Sequence, residues 1–381
     1  MFYPAHLNLQ NRKCLIVGAG PVAERKVISL LRSGGEVTLI SPEATKPLEN
    51  LAQIDQIRWR KRQFQSGDTE GMFLVYAATD QPEINTQVFK EAYEAHGIRL
   101  INVVDFIPEC TFAAASVVTC GDLIISISTS GKSPAMAKRI REFLEAKLRM
   151  AEERSRNQRF PYPVYFLLEN RSCVIVSDGR AMSGEVARRV DLLRRCGASV
   201  EQTPPTDDNC HRLSDAFFVC LERESAAFAP TQIQLIEYLS HPEAGTFTTP
   251  LLIVQGELVM SAAAGNEIEK EQDKAKRVQA TLVSQFENKG YAEFIDFLGD
   301  LRPLVMDAIP TQERRQRFFD DLIDRIPGHR EQRCCLGFAH ADCSIECPFN
   351  WIRSGQIARA RQYALQQIHE FATRTPLNPE S

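Results

Sequence analysis

Nowhere does an apolar run approach the roughly eighteen residues that a membrane-crossing helix needs. The first residues, Met1-Phe2-Tyr3-Pro4, also lack a basic stretch leading into an apolar one. No membrane span and no secretory signal are therefore expected, and the chain reads as cytoplasmic. Charge of one sign is missing too. Forty-five basic residues face 49 acidic ones, a net of −4, so no broad positive field favours nucleic acid as a partner. Cysteine, by contrast, is plentiful, with eleven residues. In a reducing compartment these are thiols or metal ligands rather than disulfides. Seven of them (Cys14, Cys110, Cys120, Cys173, Cys196, Cys210 and Cys220) are scattered, several in strand-like apolar runs, and are expected to pack as small hydrophobes. Four more cluster near the C-terminus.

A chain of 381 residues has room for two or three domains. Its organising stretch is Lys13-Cys14-Leu15-Ile16-Val17-Gly18-Ala19-Gly20-Pro21-Val22-Ala23-Glu24-Arg25-Lys26. An apolar strand runs into Gly18-x-Gly20-x-x-Ala23, and a helical pattern (Ala23, Val27, Leu30, Leu31) follows. Gly18 permits the tight turn, Gly20 lets backbone approach a pyrophosphate, and Ala23 lets the helix pack on the strand. The helix N-terminus, at Pro21 and Val22, presents its positive end to phosphates. A dinucleotide site is the expectation. After the second strand, Glu36–Ile40, come Ser41-Pro42-Glu43. Pro42 and Glu43 stand where the adenosine ribose is usually met, and no arginine follows at once to take a 2′-phosphate. NAD is therefore favoured over NADP. Strands over 57–60 and 73–80 follow. The second ends in Ala77-Ala78-Thr79-Asp80, at the carboxyl edge where ligands bind, so Thr79 and Asp80 join the candidate cofactor contacts. A helix over 84–96 leads to Leu100-Ile101-Asn102-Val103-Val104-Asp105, an apolar strand ending in a carboxylate. Strand and helix alternate as in a parallel, doubly wound sheet.

Beyond it the pattern changes. Two strand-like runs flank Cys120-Gly121-Asp122 as a hairpin. Ser128-Thr129-Ser130-Gly131-Lys132-Ser133-Pro134 then opens a helix over 135–148, with Ser133 as N-cap and Pro134 at its start. Lys138, Arg139 and Arg141 on that helix form either a solvated face or a grip on an anionic substrate.

The chain then repeats itself. Tyr3-Pro4 before Asn11-Arg12-Lys13-Cys14-Leu15-Ile16-Val17 returns as Tyr162-Pro163 before Asn170-Arg171-Ser172-Cys173-Val174-Ile175-Val176. Leu30-Leu31-Arg32 returns as Leu192-Leu193-Arg194, and Phe73-Leu74-Val75 as Phe217-Phe218-Val219. Thr111-Phe112 returns as Thr246-Phe247. Gly121-Asp122-Leu123-Ile124-Ile125-Ser126 returns as Gly256-Glu257-Leu258-Val259-Met260-Ser261. The order is kept throughout, which implies tandem duplication of the α/β unit. The second copy has lost its chemistry: Gly18-Ala19-Gly20 becomes Ser177-Asp178-Gly179, whose carboxylate would repel a pyrophosphate. Ala77-Ala78-Thr79-Asp80 becomes Leu221-Glu222-Arg223-Glu224. The stretch matching 102–105 reads as shortened, with no aspartate for Asp105. From Gly290 the pattern turns helical, broken at Ile309-Pro310-Thr311, and a last helix is expected over 352–371. Cys334-Cys335, His340, Cys343 and Cys347 form a candidate metal set, suited to tetrahedral zinc or an iron–sulfur cluster, with free thiols as the alternative. The expected division is 1–150 for the nucleotide-binding domain, 160–289 for the degenerate copy, 290–330 for a helical dimerisation-type domain, and 331–381 for the Cys-rich tail and last helix.

Taken together, Gly18-Ala19-Gly20-Pro21-Val22-Ala23-Glu24-Arg25-Lys26, Ala77-Ala78-Thr79-Asp80, Asn102-Val103-Val104-Asp105 and the 128–134 loop before Ala137-Lys138-Arg139-Ile140-Arg141 resemble the precorrin-2 dehydrogenase family, the dehydrogenase/ferrochelatase part of sirohaem synthases. The likeness covers about the first 150 residues, and 294–326 is similar to the family's C-terminal helical part. It departs at Ala115, where the family usually carries a proline. The resemblance implies a Rossmann-type fold and NAD-dependent oxidation of precorrin-2 to sirohydrochlorin. In some members the same cavity also inserts ferrous iron. It further implies Asp105 as the proton-accepting carboxylate, Ser128 near the tetrapyrrole, and a homodimer. Lys132, Lys138, Arg139 and Arg141 are candidate partners for the substrate's carboxylates by charge. A non-catalytic regulator that binds NAD or tetrapyrrole is the alternative.

Overall fold

Strand Lys13–Val17 sits at the centre of a five-stranded parallel sheet, between Glu36–Ile40 and Leu74–Ala77, with Arg58–Arg60 and Leu100–Val103 outermost. Both faces of such a sheet are covered, which explains why its strands read as continuous apolar runs rather than alternating ones. Helix Pro21–Arg32 covers one face with Ala23, Val27 and Leu30, all buried. In this computed structural model the described residues are 1–120, 123–148, 160–177, 184–204, 213, 215–222, 234–264, 269–327, 329–333, 336 and 345–373. They form a mixed α/β chain of two units. One joins 1–115 to 156–250, and the other joins 116–155 to 251–381.

The first unit holds a second parallel sheet in the order Ser199–Thr203, Ser172–Val176, Phe218–Leu221, Ile236–Tyr238. Helix Gly184–Arg195 packs on it through Val186, Val190 and Leu193. Those three have the spacing of Ala23, Val27 and Leu30, so the buried stripes align Leu30 with Leu193. The letter match of Leu30 with Leu192 is thus displaced by one residue. The segment facing 102–105 is also not shortened. Ile101 N–H donates to Thr111 Oγ1 at 2.9 Å, and Ile236 N–H to Thr246 Oγ1 at 2.8 Å. Val104 N–H meets Ala77 O, and Leu239 N–H meets Leu221 O, both at 2.9 Å. Equal spacing puts Ser240 in the position that Asp105 holds after the first sheet's last strand.

Between the two parallel sheets lies an antiparallel one with a local two-fold. Tyr3 pairs with Phe166, Ala5 with Val164 and Leu7 with Tyr162. Phe112–Ala114 and Phe247–Thr248 flank that pair on opposite edges. Each partner offers the same patch to the other, as at an isologous interface.

The second unit repeats the device. Hairpin strands Ser116–Cys120 and Leu123–Ser128 meet hairpin strands Leu251–Gln255 and Leu258–Ala264. Ser126 faces Ser261 at the centre of their junction, with hydroxyls 2.6 Å apart. Helices Pro134–Leu148, Glu269–Phe286, Tyr291–Ala308 and Gln312–Asp324 enclose a core that includes Phe286, Tyr291, Phe294 and Phe318. Ser133 caps the first of these through Met136 N–H at 3.2 Å. Arg315 closes the break at 309–311, its Nε donating to Ile309 O at 2.5 Å. The expected last helix is two, Pro348–Arg353 and Ile357–Thr373, divided at Gly355, whose φ of 79° a helix cannot continue through.

Cys14, Cys110, Cys173, Cys196 and Cys220 are buried thiols. Residue 210 and the side chain of Cys120 lie outside the description, as do residues 178–179 and 223–224 of the altered second-copy motifs.

A buried ion pair anchors the second sheet. Arg189 lies 3.1 Å from Glu237, and their side chains are 8% and 3% exposed. Tyr3 OH and the Thr249 amide complete the cluster. Removing one member of such a pair strands a buried charge, at a cost of roughly 3–5 kcal/mol, whereas an apolar pair of similar volume is often neutral. Arg189→Met is expected to lower stability by that amount and Arg189→Met/Glu237→Leu to recover most of it, as read from denaturant midpoints.

Candidate functional site

The glycine turn stands at the carboxyl edge of the first sheet, and its two glycines answer different needs. Gly18 has φ of 100°, donates its N–H to Ile40 O at 2.9 Å, and lies so close to the next crossover that a Cβ would fall 2.3 Å from Ala78 O. Only glycine fits there. Gly20 is the N-cap of the Pro21 helix, with no side chain capping its first amides. A Cβ on Gly20 would meet nothing within 4 Å. Among the described residues nothing requires a glycine there. The open space beside uncapped helix amides suits a diphosphate, and the residues present therefore fit a dinucleotide.

The other cofactor candidates gather on the same edge. Ala23 is buried under the helix, while Pro21 is exposed and Val22 half-buried at its start. Pro42 and Glu43 are exposed just beyond Ile40. Ser41 is fixed before them, its carbonyl accepting from Trp59 Nε1 at 3.0 Å. Thr79 is held by a residue the motif reading did not pick out. Buried Asn85 accepts from Thr79 N–H at 3.1 Å and from its hydroxyl at 2.7 Å, and donates back to Thr79 O at 3.0 Å. Asp80, next in the chain, is exposed.

Asp105 lies in the turn after Leu100–Val103, an edge neighbour of Ala77 through the bond from Val104. It is exposed and left-handed, with φ of 62°. Aspartate tolerates that region better than most residues, and non-glycine residues held there cluster at functional sites. The turn is tied by Phe106 N–H to Val103 O and by Cys110 Sγ to the same carbonyl, both at 3.2 Å. Phe106 and Ile107 are half exposed beside the carboxylate, an apolar lip next to an acid.

Lys26, the last residue of the glycine motif, is half-buried one and a half turns into the Pro21 helix, with Nζ 5.4 Å from the centre of the Tyr76 ring. Burial, with Arg25 adding to it, pushes its ammonium down to about 8. Asp105 opposes that shift by favouring the charged form. Tyr76 itself is buried and shares a 2.8 Å hydrogen bond with Tyr162. The motif contained Lys26, but nothing in its spacing said that the side chain lies over the Tyr76 ring.

Ser128 belongs to the other unit. It closes the Leu123–Ser128 strand, is buried, and accepts from Ser130 N–H at 3.0 Å. The cations after it are each matched by an acid. Lys132 lies 2.6 Å from Asp296, Lys138 3.2 Å from Asp320, Arg139 2.6 Å from Asp324 and Arg141 2.8 Å from Glu145. Lys138 and Arg139 pair with acids on Gln312–Asp324, Lys132 with Asp296 on Tyr291–Ala308, and Arg141 with Glu145 on its own helix, which favours the reading of an internally balanced face over a ready anion grip.

Of the candidate metal set, Cys334, Cys335, His340 and Cys343 lie outside the described residues. Cys347 is fully buried at the N-cap of Pro348–Arg353. Among the described residues no group of three or more candidate ligands gathers, and no helix is long and apolar enough to cross a membrane.

The sheet, the turn and the open helix end define a doubly wound nucleotide-binding protein, and sequence comparison agrees. Residues 5–116 match a family described as putative NAD(P)-binding, and residues 121–147 match one described as sirohaem biosynthesis protein, central. Over this part the chain is similar to the N-terminal region of sirohaem synthases, as its motifs indicated. Siroheme synthase 1 of Serratia proteamaculans (strain 568) is 40% identical over 147 residues, which is 39% of this chain and 30% of that protein. Siroheme synthase of Photorhabdus laumondii subsp. laumondii is 40% identical over the same length, 39% of this chain and 31% of that one. The chain thus spans about a third of these relatives. A solved precorrin-2 dehydrogenase, SirC, is 26% identical with a TM-score of 0.34, over 37% of this chain and 68% of that one.

Substitution separates the two glycines. Gly18→Ala is expected to destabilise the fold by at least about 1–2 kcal/mol through strain and the Ala78 contact. Gly20→Asp is expected to leave the denaturation midpoint within about 0.5 kcal/mol of the parent and to abolish NAD binding in calorimetry. Normal NAD affinity in Gly20→Asp would place the nucleotide elsewhere.

Proposed function

We propose that this chain is an NAD-dependent precorrin-2 dehydrogenase of sirohaem biosynthesis, and that it also inserts ferrous iron, its second substrate, into the product. The observation that carries the reading is the meeting, on one sheet edge, of an uncapped glycine turn with the left-handed Asp105 turn. Bound NAD supplies a hydride acceptor. The chain's residues do the rest. Gly18 and Gly20 admit the diphosphate, the first helix amides donate to it, and Thr79, braced by Asn85, shapes the crossover beside it. Oxidation removes a hydride and a proton from the substrate, and Asp105 accepts the proton. Phe106 and Ile107 give the macrocycle an apolar edge to lie against. When iron enters, the same carboxylate takes the displaced pyrrole protons. Ser128 we assign to the substrate side of the reaction.

Two further features support NAD over NADP. Glu43 follows the second strand. On and after the neighbouring strand, Arg60 and Arg62 are already engaged, 2.8 Å and 2.6 Å from the Asp68 carboxylate. The buried thiols Cys14, Cys110, Cys173 and Cys220 suit the reading of a cytoplasmic setting.

The remaining architecture we read as tandem duplication, with segments at 1–150, 160–289, 290–330 and 331–381. Matched helix stripes, matched threonine bonds and the two-fold strand registers support it. The homodimer implied by the resemblance is, in this reading, built inside one chain. The second copy is the scaffold half, its Arg189–Glu237 pair occupying the ground where the first copy keeps Lys26 and Asn102.

Asp105→Ala is expected to keep NAD affinity and lose turnover by about 10²–10⁴-fold, measured anaerobically as NADH formation with precorrin-2. Unchanged turnover would remove Asp105 from the mechanism. No NADH from the parent protein, with NAD still bound, would favour the regulator. A metal centre in the 334–347 tail predicts iron with sulfide, or zinc, in the anaerobically purified protein, and absence of all three would remove the tail from metal binding.

A further inference from the structure

The loop that follows the second strand is pinned to the glycine turn at both of its ends. Ile40 O accepts from Gly18 N–H at 2.9 Å, and Thr45 N–H donates to the next residue of the turn, Ala19 O, at 3.2 Å. Trp59 Nε1 donates to Ser41 O at 3.0 Å, and Ala44 and Leu48 pack into the core. Between these anchors Pro42 and Glu43 are exposed. Thr45 itself departs from the habit of its type. It is the N-cap of helix Lys46–Gln53, yet no side-chain hydrogen bond caps that helix. A threonine in this place ordinarily offers its hydroxyl oxygen to the first free amides. Here the hydroxyl donates instead to Glu24 Oε2 at 2.7 Å, on the helix that the glycine turn opens. Both partners are half-buried. One helix start has given up its side-chain cap for a bond across to the nucleotide turn.

We propose that the Thr45–Glu24 bond is a latch that sets nucleotide selectivity. Thr45 and Glu24 are positioning residues that hold the 41–45 loop against the glycine turn, so that the Glu43 carboxylate faces the adenosine ribose. The backbone bonds fix where the loop begins and ends. The hydroxyl–carboxylate bond adds a tie to a charged acceptor, which is the stronger kind. A carboxylate held there accepts from the ribose hydroxyls of NAD and repels the 2′-phosphate of NADP. Holding the loop in place before the nucleotide arrives also cuts the ordering cost of binding. Loss of the latch therefore removes affinity for NAD and, with it, the penalty on NADP, so that the two affinities converge. A tether that only stabilised the fold would weaken both nucleotides alike. The inference rests on the cofactor site proposed above and not on turnover.

The test is calorimetric binding of NAD and of NADP to the full chain. Thr45→Val keeps the size and removes the donor. It is expected to raise the NAD Kd about tenfold and to lower the NADP-to-NAD Kd ratio by a similar factor. Thr45→Ser is expected to return both to the parental values. Glu24→Gln, whose amide oxygen still accepts, is expected to keep the ratio, and Glu24→Ala to lose it as Thr45→Val does. Thr45→Val/Glu24→Ala is expected to be no worse than either single variant, because both remove the same bond. Glu43→Ala is expected to narrow the ratio by itself, and Thr45→Val added to it to change the ratio no further. If Thr45→Val does not fold, the two Glu24 variants carry the same decision. A parental ratio in Thr45→Val or Glu24→Ala, or additive losses in their combination, would overturn the proposal. A parent that binds NAD but forms no NADH from precorrin-2 would defeat the dehydrogenase reading and leave the ratio to decide the latch. A parent that binds neither nucleotide would overturn both.

Discussion

Pairing of Tyr3–Leu7 with Tyr162–Phe166 is the contact on which the nucleotide-binding unit depends. Both strands are buried along their whole length, and each is the only described partner that can complete the other's ladder at that edge. The pairing also delivers a tyrosine hydroxyl across to each parallel sheet. Tyr162 reaches Tyr76 beneath Lys26, and Tyr3 reaches Arg189 above Glu237. Losing Tyr162–Phe166 would therefore expose an apolar strand and take away the hydroxyl that meets Tyr76.

Most of the fold was legible because parallel strands buried on both faces announce themselves as apolar runs, and Gly18 and Gly20 mark the one turn where backbone must come close to something. Letter matches alone do not fix which residues of the two similar stretches correspond. Leu30-Leu31-Arg32 and Leu192-Leu193-Arg194 match as text, whereas the helix is aligned by which side chains face the sheet. That criterion shifts the match by one residue. Likewise the stretch opposite 102–105 looked shortened because Ser240 resembles nothing at Asp105. Only the ladder bonds from Leu239 and Ile236 reveal equal length. The long last helix failed at Gly355, whose left-handed backbone outweighs the apolar periodicity on either side.

The site was legible in part. The glycine turn, Thr79 and Asp105 were named from the sequence, the first two as small residues at strand ends and Asp105 through the family resemblance, and all lie at the carboxyl edge of the first sheet. Asn85 was hidden because a buried asparagine in a helix is recognisable only by what it binds. Lys26 was hidden in plain view, quoted within the motif, because sequence spacing does not say which way a lysine on the flank of a helix leans. The cations at 132–141 left two readings open. Their charge suggested an anionic substrate, yet each is matched by an acid more than a hundred residues away or one turn along. Charge read from sequence is gross charge, and only folding shows what remains after pairing.

In the proposed architecture one chain contains one working half and one structural half of an isologous pair. Calorimetric titration with NAD, on protein whose solution mass is measured by sedimentation in the same buffer, tests that directly. The expected result is one NAD per chain on a single-chain species, with Gly20→Asp reducing it to none. Two NAD per chain, or a species that binds NAD only as a two-chain assembly, would contradict it.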